Sequence, residues 1–394
     1  VYEGGFVAGR QHGFGRFKRP DGYEYEGDWV EGRIEGQGRA RFADGAVYEG
    51  AFAEGQPEGE GRIAYPDGST YEGGWQDGRM HGKGVVAYAD GGRYEGDFAE
   101  GLQSGEGVFT AADGAVHSGA WRAGALEGAG RIDYPDGSTY EGALAAGAPD
   151  GEGVLAHPDG ARYEGAWRAG RRHGRGVQVS TSGDRYEGGF VDGRREGRGR
   201  LAYASGDAYV GEWRADLYDG PGAYRAASGV VHQGDWAEGR LDGAGSILFA
   251  DGAVYEGGLS DGLPHGSGVR IDADGAGYDG DWAAGRREGR GLAQAADGAR
   301  YEGGFAADQR AGQGRMELPD GFVLEGTWAG GLLNGQGVAL YPNGDRYEGA
   351  FIDGLPEGEG SMRFADGALY EGRWQAGAPA PEAPAAPGDA AEAP

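Results

Sequence analysis

Histidine is the first residue type in this chain that suggests chemistry, because its imidazole binds metal ions and transfers protons near neutral pH. Four of the seven histidines, His12, His81, His173 and His265, follow one another at separations of 69, 92 and 92 residues. A zinc ion holds its ligands at about 2 Å, and side chains separated by several copies of a regular pattern do not meet at one ion. The sequence therefore predicts no metal site.

Other catalytic patterns are equally missing from the sequence. No Ser-His-Asp arrangement or nucleophile elbow stands out, and the carboxylates recur evenly instead of forming one special pair. Asp67 and Asp136 lie in Pro-Asp-Gly turns without the loop spacing and distal glutamate of a calcium site. Glycine strings such as Gly197–Gly199 precede no helix that would bind phosphate at its N-terminus. We therefore expect a non-enzymatic chain without a cofactor.

One local cluster of arginines interrupts an acidic background. The segment 159–200 contains ten arginines and six acidic residues, and Arg171, Arg172, Arg194 and Arg195 fall in corresponding loops of adjacent copies of the pattern. Such a cluster suits an anionic phospholipid headgroup or an acidic partner. Two interpretations stay open: a chance excess in a chain that prefers arginine to lysine, and a peripheral membrane module that binds phosphoinositides through these arginines.

The overall charge limits the classes of partner. The net charge is −28, from 36 Lys and Arg against 64 Asp and Glu. A chain this acidic is not expected to bind nucleic acid, because the phosphates would repel it. A basic or amphipathic protein segment is a better complement. The chain has no cysteine, which excludes disulfides and thiolate chemistry but leaves the localisation open.

All these residues belong to a strict 23-residue repeat. The triplet Tyr-Glu-Gly, or a close variant, recurs seventeen times from Tyr2 to Tyr370 without an insertion or deletion. When each copy is numbered from this tyrosine as position 1, 80 of the 89 glycines fall at positions 3, 8, 12, 14 and 21. A constant period of this length predicts a linear array of one small unit, so function must be sought on a repeated surface.

Each copy has the pattern of a β-hairpin. In the copy 71–93, side chains alternate with a period of two on both sides of an Asp-Gly pair. The segment 65–69, Tyr-Pro-Asp-Gly-Ser, matches a type I turn with a glycine bulge, which predicts a three-residue loop. With this loop, position 16 faces the triplet tyrosine and position 14 faces the triplet glycine. The tyrosines then share one face of a sheet, and the triplet glutamates share the other.

An aromatic side chain at position 5 lies beside the facing glycines. It is Trp or Phe in fifteen of the seventeen copies, with Leu144 and Leu259 as the exceptions. We predict a ladder of rings over a floor of glycines, which no second layer of the chain can cover. The candidate partner-binding residues are the nine tryptophans, all at position 5: Trp29, Trp75, Trp121, Trp167, Trp213, Trp236, Trp282, Trp328 and Trp374.

The triplet, the aromatic residue two positions after it, the glycines at positions 8, 12 and 14 and the Asp-Gly turn together resemble the MORN (membrane occupation and recognition nexus) repeat. The resemblance covers residues 1–376 in about 16–17 tandem copies. It implies an all-β fold, an elongated single-layer antiparallel β-sheet built of tandem β-hairpins. In this family such arrays act mainly as scaffolds that bind protein segments, some dimerise, and phospholipid binding has been proposed. Residues 377–394 leave the pattern as a Pro, Ala and acidic tail, whose composition predicts disorder.

Three functional hypotheses follow from these observations. The first is a non-enzymatic scaffold or adaptor whose repeated aromatic face binds a protein segment or another copy of itself, as a homodimer. The second is a peripheral membrane module that binds anionic phospholipid through the arginine cluster. The third is the targeting arm of an enzyme lost upstream of Val1, since the chain starts within a repeat and without Met.

Overall fold

A computed structural model of the chain describes residues 1–381, and all of their regular structure is β-strand. The described residues divide into two compact units, one of residues 1–204 and one that begins at Ser205. The sequence predicts a disordered tail over residues 377–394. From position 382 onward, this tail lies outside the described residues. No helix in the described part of the chain has the length and apolar character needed to cross a bilayer.

The first unit is an antiparallel sheet in which each strand pairs with the strand that follows it in sequence. Its strands are β1 (Tyr2–Val7), β2 (Arg10–Lys18), β3 (Glu24–Val30), β4 (Arg33–Arg41), β5 (Val47–Ala53), β6 (Gln56–Ala64), β7 (Thr70–Gln76), β8 (Arg79–Ala87), β9 (Arg93–Ala99), β10 (Leu102–Thr110), β11 (Val116–Arg122), β12 (Ala125–Asp133), β13 (Thr139–Ala145), β14 (Ala148–Ala156), β15 (Arg162–Arg168), β16 (Arg171–Val179), β17 (Arg185–Val191) and β18 (Arg194–Ala202).

The second unit repeats the same sequential antiparallel pairing. Its strands are β19 (Ala208–Arg214), β20 (Leu217–Arg225), β21 (Val231–Ala237), β22 (Arg240–Leu248), β23 (Val254–Ser260), β24 (Leu263–Ile271), β25 (Gly277–Ala283), β26 (Arg286–Gln294), β27 (Arg300–Ala306), β28 (Gln309–Glu317), β29 (Val323–Ala329), β30 (Leu332–Leu340), β31 (Arg346–Ile352), β32 (Leu355–Arg363), β33 (Leu369–Gln375) and β34 (Ala378–Pro379). The predicted fold of tandem antiparallel hairpins is confirmed.

The Asp-Gly turn has the predicted three-residue loop. Between β4 and β5, the Phe42 N–H donates to the Ala46 carbonyl at 2.8 Å, and the Gly45 N–H donates to the Phe42 carbonyl at 3.0 Å. The Asp44 carboxylate accepts a further bond from the Ala46 N–H at 3.0 Å. Gly45 has a φ of 93°, which explains why glycine recurs at position 21.

The register brings the predicted residues opposite each other. Across β4 and β5, Ala40 at position 16 pairs with Tyr48, and Gly38 at position 14 pairs with Gly50. The same pairing recurs across the following hairpins. Since side chains alternate along a strand, positions 1, 3 and 5 share what we call the ring face, and positions 2, 4, 13, 15, 17 and 23 share the opposite, carboxylate face.

The opposite ends of the strands are joined by two-residue turns. In the turn between β7 and β8, Asp77 and Gly78 have φ values of 48° and 75°. β8 then bulges at Gly82, where one residue of β7 lies opposite three residues of β8. The φ of Gly82 is 68°, and this left-handed backbone is the reason for the glycine at position 12.

The turn of Asp77 and Gly78 is bound to the preceding repeat, and other turns repeat this contact. The Gly78 N–H donates to the Pro57 carbonyl at 3.0 Å, and the Asp77 N–H donates to the Glu58 carboxylate at 3.0 Å. Glu58 occupies position 11, the position at which the four spaced histidines lie in other repeats. The acidic side chains at position 11 therefore stabilise the contact between neighbouring repeats.

Candidate binding surfaces

The triplet tyrosine packs against the facing glycines of its own repeat. Tyr48 is fully buried, and a methyl group added at Gly61 would lie 2.1 Å from its Oη. The Tyr48 hydroxyl donates to the Ala51 carbonyl at 2.9 Å. We predicted that the position 5 ring covers the glycines, and this was wrong. The tyrosine covers them because it leans along its own strand until the hydroxyl reaches the carbonyl of position 4.

The position 5 ring packs edge-on between two tyrosines. The ring centroid of Trp75 lies 5.3 Å from that of Tyr71 in its own repeat and 5.1 Å from that of Tyr48 in the preceding repeat. The Trp75 Nε1–H donates to the Gly61 carbonyl of the preceding repeat at 3.2 Å. Such aromatic pairs contribute about 0.5–1.5 kcal/mol beyond their buried area. The ladder therefore couples each repeat to its neighbour.

Most side chains of this aromatic ladder are buried and form a hydrophobic core. The rings shield one another, and turn residues such as Phe42 pack against them. Trp121 and Trp236 are the half-buried members. A partner-binding role for the tryptophans stays a prediction, with these two as the most accessible members. The remaining seven are buried: Trp29, Trp75, Trp167, Trp213, Trp282, Trp328 and Trp374.

Arg172, one of the four arginines predicted to bind an anion, lies on the ring face. Its guanidinium carbon is 5.8 Å from the ring centroid of Tyr163 and 5.3 Å from that of Phe190. Its Nη2 donates to the Gly193 carbonyl at 2.7 Å. The stacking over two rings and the hydrogen bond to the backbone are structural contacts. They leave less of the Arg172 guanidinium available to an anion.

The other three arginines divide between the two faces. Arg195 has the same position 10 as Arg172, and its guanidinium carbon lies 5.6 Å from the ring centroid of Tyr186. Arg171 and Arg194, at position 9, are exposed and precede these stacked arginines on their strands. Since neighbouring residues of a strand point to opposite faces, the structure does not bring all four guanidinium groups together. Anion binding stays a prediction that rests mainly on the two exposed arginines.

The carboxylate face carries the predicted row of triplet glutamates. Several of them pair across the strands with arginine at position 15, as in Arg16–Glu26 at 2.9 Å and Arg39–Glu49 at 2.8 Å. All four side chains are more than 40% exposed, and exposed ion pairs contribute little, about 0–1 kcal/mol each. The row therefore remains available to a partner.

Across β6 to β11 the carboxylate face forms an open groove of about 1200 Å³. Its floor is the backbone of the facing glycines at positions 3 and 14, and charged side chains of positions 2 and 13 rise on both sides. Within residues 1–381, the carboxylates of Glu60, Glu72 and Glu106 in this groove take part in no ion pair. The groove therefore presents uncompensated negative charge.

The basic side chains of the groove are mostly engaged. Lys83 Nζ lies 2.7 Å from the Asp97 carboxylate, and Arg93 lies 2.7 Å from the Glu95 carboxylate. Arg62 is the remaining basic residue of its lining. Since two of the three basic groups already have partners, a basic ligand would meet little repulsion there.

A second groove on the carboxylate face lies within the second unit, across β25 to β29, with a volume of about 630 Å³. Asp279, Glu302 and Glu325 line it together with Arg290 and Arg315. Arg315 Nη1 lies 3.4 Å from the Glu325 carboxylate. Sequence reasoning found the glutamate row but missed both grooves. The available signal was the recurrence of glycine at positions 3 and 14 between the charged positions 2 and 13.

These surfaces present rings and carboxylates at regular intervals. Among residues 1–381, no three His, Asp or Glu side chains gather in a group that could hold a metal ion. The tandem hairpins of each unit, with their repeated surfaces, define a tandem-repeat β-protein.

The chain belongs to the MORN repeat family, whose repeats are non-enzymatic. Consecutive matches to the family model span most of the chain, as the sequence predicted. They cover residues 2–22, 25–47, 48–70, 71–93, 94–116, 117–139, 140–162, 163–185, 186–208, 209–231, 232–254, 255–277, 278–300, 301–323, 325–346 and 347–369.

Comparison with curated protein sequences gave no match. Among solved structures, the chain is similar to the Drosophila melanogaster SAS-4 TCP domain in complex with a proline-rich motif of Ana2, with 16% identity over 45% of this chain and 86% of that one, and a TM-score of 0.24. It is also similar to the G-box domain of the microcephaly protein CPAP, with 14% identity over 57% of this chain and 100% of that one, and a TM-score of 0.25. TM-scores of this size carry no argument about function.

Proposed function

We propose that this chain is a non-enzymatic scaffold that holds a basic segment of another protein along its carboxylate face. The observation that supports this best is the groove across β6 to β11, in which Glu60, Glu72 and Glu106 have no ion-pair partner. Exposed charge pairs contribute about 0.2–1 kcal/mol each, and a repeated surface adds them along an extended ligand. A linear groove with a backbone floor suits a linear peptide segment.

The ring face supports the scaffold in a different way. The sequence pointed to this face as the contact surface, but most of its tryptophans are buried against neighbouring repeats. A buried ring offers little surface to a partner, whereas it stiffens the array that presents the groove. A contribution of the ring face to binding would come from the accessible Trp121 and Trp236.

The test uses the whole chain and a fluorescein-labelled peptide of alternating Lys and Ser, followed by fluorescence anisotropy. The variant with Glu60→Gln, Glu72→Gln and Glu106→Gln is expected to bind about tenfold more weakly, because three charge contacts are lost. Binding by the unmodified chain should also weaken as salt is raised, since the contacts are exposed.

The matched control removes the same number of charges from the two-residue turns: Glu31→Gln, Glu54→Gln and Glu100→Gln. These three carboxylates are exposed and lie outside the groove lining. Equal weakening in both triple variants would show that the peptide responds only to the net charge. If the chain instead dimerises with rising concentration and thereby excludes the peptide, a second copy occupies the groove.

A further inference from the structure

An exposed apolar strip lies on the carboxylate face of the second unit. Leu248 on β22 pairs directly with Val254 on β23, and Val254 pairs directly with Ile271 on β24. Val269 lies two residues from Ile271 on the same face. Leu248 is 43% exposed, Val254 37%, Ile271 55% and Val269 38%. In contrast, Ile247 on the ring face is 2% exposed.

The fold does not demand apolar side chains in this row. The strip residues Leu248, Val254 and Ile271 occupy positions 17 and 23, and elsewhere the same pair of positions carries charged side chains. An example is Lys18 and Glu24, whose charged atoms are 2.9 Å apart. Contiguous exposed apolar surface that packing does not require marks an interaction site.

Carboxylates run beside the strip. Val269 pairs with Glu256 on one side and with Asp279 on the other. In the described structure neither carboxylate takes part in an ion pair. Between residues 231 and 283, the carboxylate-face positions 2, 4, 13, 15, 17 and 23 contain no Lys or Arg. The surface therefore combines an apolar row with an adjacent acidic row.

The spacing of the apolar side chains in the strip indicates the shape of the ligand. Adjacent strands lie about 4.8 Å apart, so the strip presents one side chain roughly every 4.8 Å across the strands. An α-helix has a pitch of about 5.4 Å and presents one side chain per turn along each stripe of its surface. An extended segment presents side chains to one side only about every 6.8 Å, which does not match the row.

We propose that this strip, Leu248, Val254, Val269 and Ile271, binds a basic amphipathic helix of a partner protein. The helix lies across β22 to β24 with its apolar stripe on the strip and its basic stripe facing Glu256 and Asp279. The proposal rests on the scaffold role but assigns a different surface from the groove of β6 to β11. Charge selects this occupant: an anionic bilayer, or a second chain of net charge −28, would be repelled by the acidic row.

The test uses the whole chain and a labelled peptide of about 18 residues, some five helical turns, with Leu at helical period and Lys elsewhere. Anisotropy should show binding, and Leu248→Ser with Ile271→Ser should weaken it about tenfold or more, because two apolar contacts are removed. Circular dichroism is expected to stay unchanged, since both side chains are exposed. On a chain that carries the three glutamine substitutions in the first groove, a peptide of the same composition in alternating order should bind more weakly than the helical peptide.

The matched control is Val210→Ser with Leu369→Ser, which removes two side chains of 54% exposure from the same face outside the strip. An equal loss of binding in this control, undiminished binding in the strip variant, or stronger binding of the alternating peptide would overturn the proposal. All of these measurements use the triple glutamine variant of the first groove as the starting chain, so that peptide bound in that groove does not contribute. A failure of the scaffold proposal can thus be distinguished from a failure of the proposal that the strip binds a helix.

Discussion

Leu144 covers Gly130 in the place that a tyrosine takes in most other repeats. Its Cδ1 lies 2.7 Å from the point at which a Cβ on Gly130 would stand. Gly130 belongs to the repeat that begins with His117 instead of tyrosine, and Leu126 of that repeat approaches Gly119 in the same way, at 3.3 Å. Two leucines, one from each of two neighbouring repeats, therefore replace one missing ring.

The leucine at position 10 recurs in the other repeats that lack the tyrosine. The repeats that begin at His232 and Leu324 carry Leu241 and Leu333 at position 10, and these leucines are 2% and 0% exposed. Leucine occurs at position 10 only in these three repeats. Leu259, the second exception at position 5, directly follows the repeat of His232. The departures from the repeat are thus correlated by packing.

The first prediction tests this compensation. His117→Tyr alone should lower the stability by about 1–3 kcal/mol, because the new ring competes with two leucines for one space. Adding Leu126→Gln and Leu144→Trp restores the pattern of the tyrosine repeats and should recover the loss. The midpoint of urea unfolding measures both changes. Additive effects of the three substitutions would contradict the compensation.

The second prediction concerns the glycines beneath the tyrosines. Gly61→Ala should destabilise the chain by about 1–3 kcal/mol or more, because the added methyl group meets the Tyr48 ring. Gly277→Ala is the control. The nearest atom to its added methyl group is the Arg270 carbonyl oxygen at 3.2 Å, and other repeats carry larger residues at this position. Thermal unfolding followed by circular dichroism compares the two variants, and equal melting temperatures would count against the ring placement.

The third prediction concerns alkaline pH. Burial raises the pKa of Tyr48, Tyr94 and Tyr163 to about 12, against about 10 in an unfolded chain. The folded state favours the neutral phenol, so its contribution to stability is complete below pH 10 and is lost as the pH rises from 10 to 12. Tyrosinate absorbance should appear together with loss of the β-sheet signal in this window. Titration of the buried tyrosines near pH 10 with the sheet intact would show that they are accessible to water.

The fourth prediction separates the stacked arginines from the exposed ones. Arg172→Glu should cost about 1–3 kcal/mol, because it removes a hydrogen bond to the half-buried Gly193 carbonyl and places a carboxylate over the rings. Arg171→Glu with Arg194→Glu should leave the unfolding midpoint almost unchanged, since both side chains are exposed. Urea unfolding gives the comparison. Equal destabilisation would mean that the exposed pair has a structural role.

The variant with Arg171→Glu and Arg194→Glu also tests the membrane hypothesis. If the exposed arginines bind anionic headgroups, flotation with phosphatidylinositol bisphosphate vesicles is lost in the Arg171→Glu and Arg194→Glu variant. Arg172→Met should then float as the unmodified chain does, because methionine fills position 10 in the repeat of Tyr71, which also has the triplet tyrosine. Flotation that is unchanged in the double variant would exclude this cluster as a lipid site.

The sequence alone determined the hairpin, its three-residue loop, the register of Ala40 with Tyr48 and the separation of tyrosines from glutamates. These features depend on local turn chemistry and on the two-residue period of a strand, both of which lie within one repeat. Only the tertiary structure decided that Tyr48, and not a position 5 ring, lies over the glycines, and that most tryptophans are buried. Those outcomes depend on how far each side chain extends toward the next repeat. The contacts that result join residues of two repeats, for example Leu144 and Gly130, so the sequence of a single repeat does not contain them.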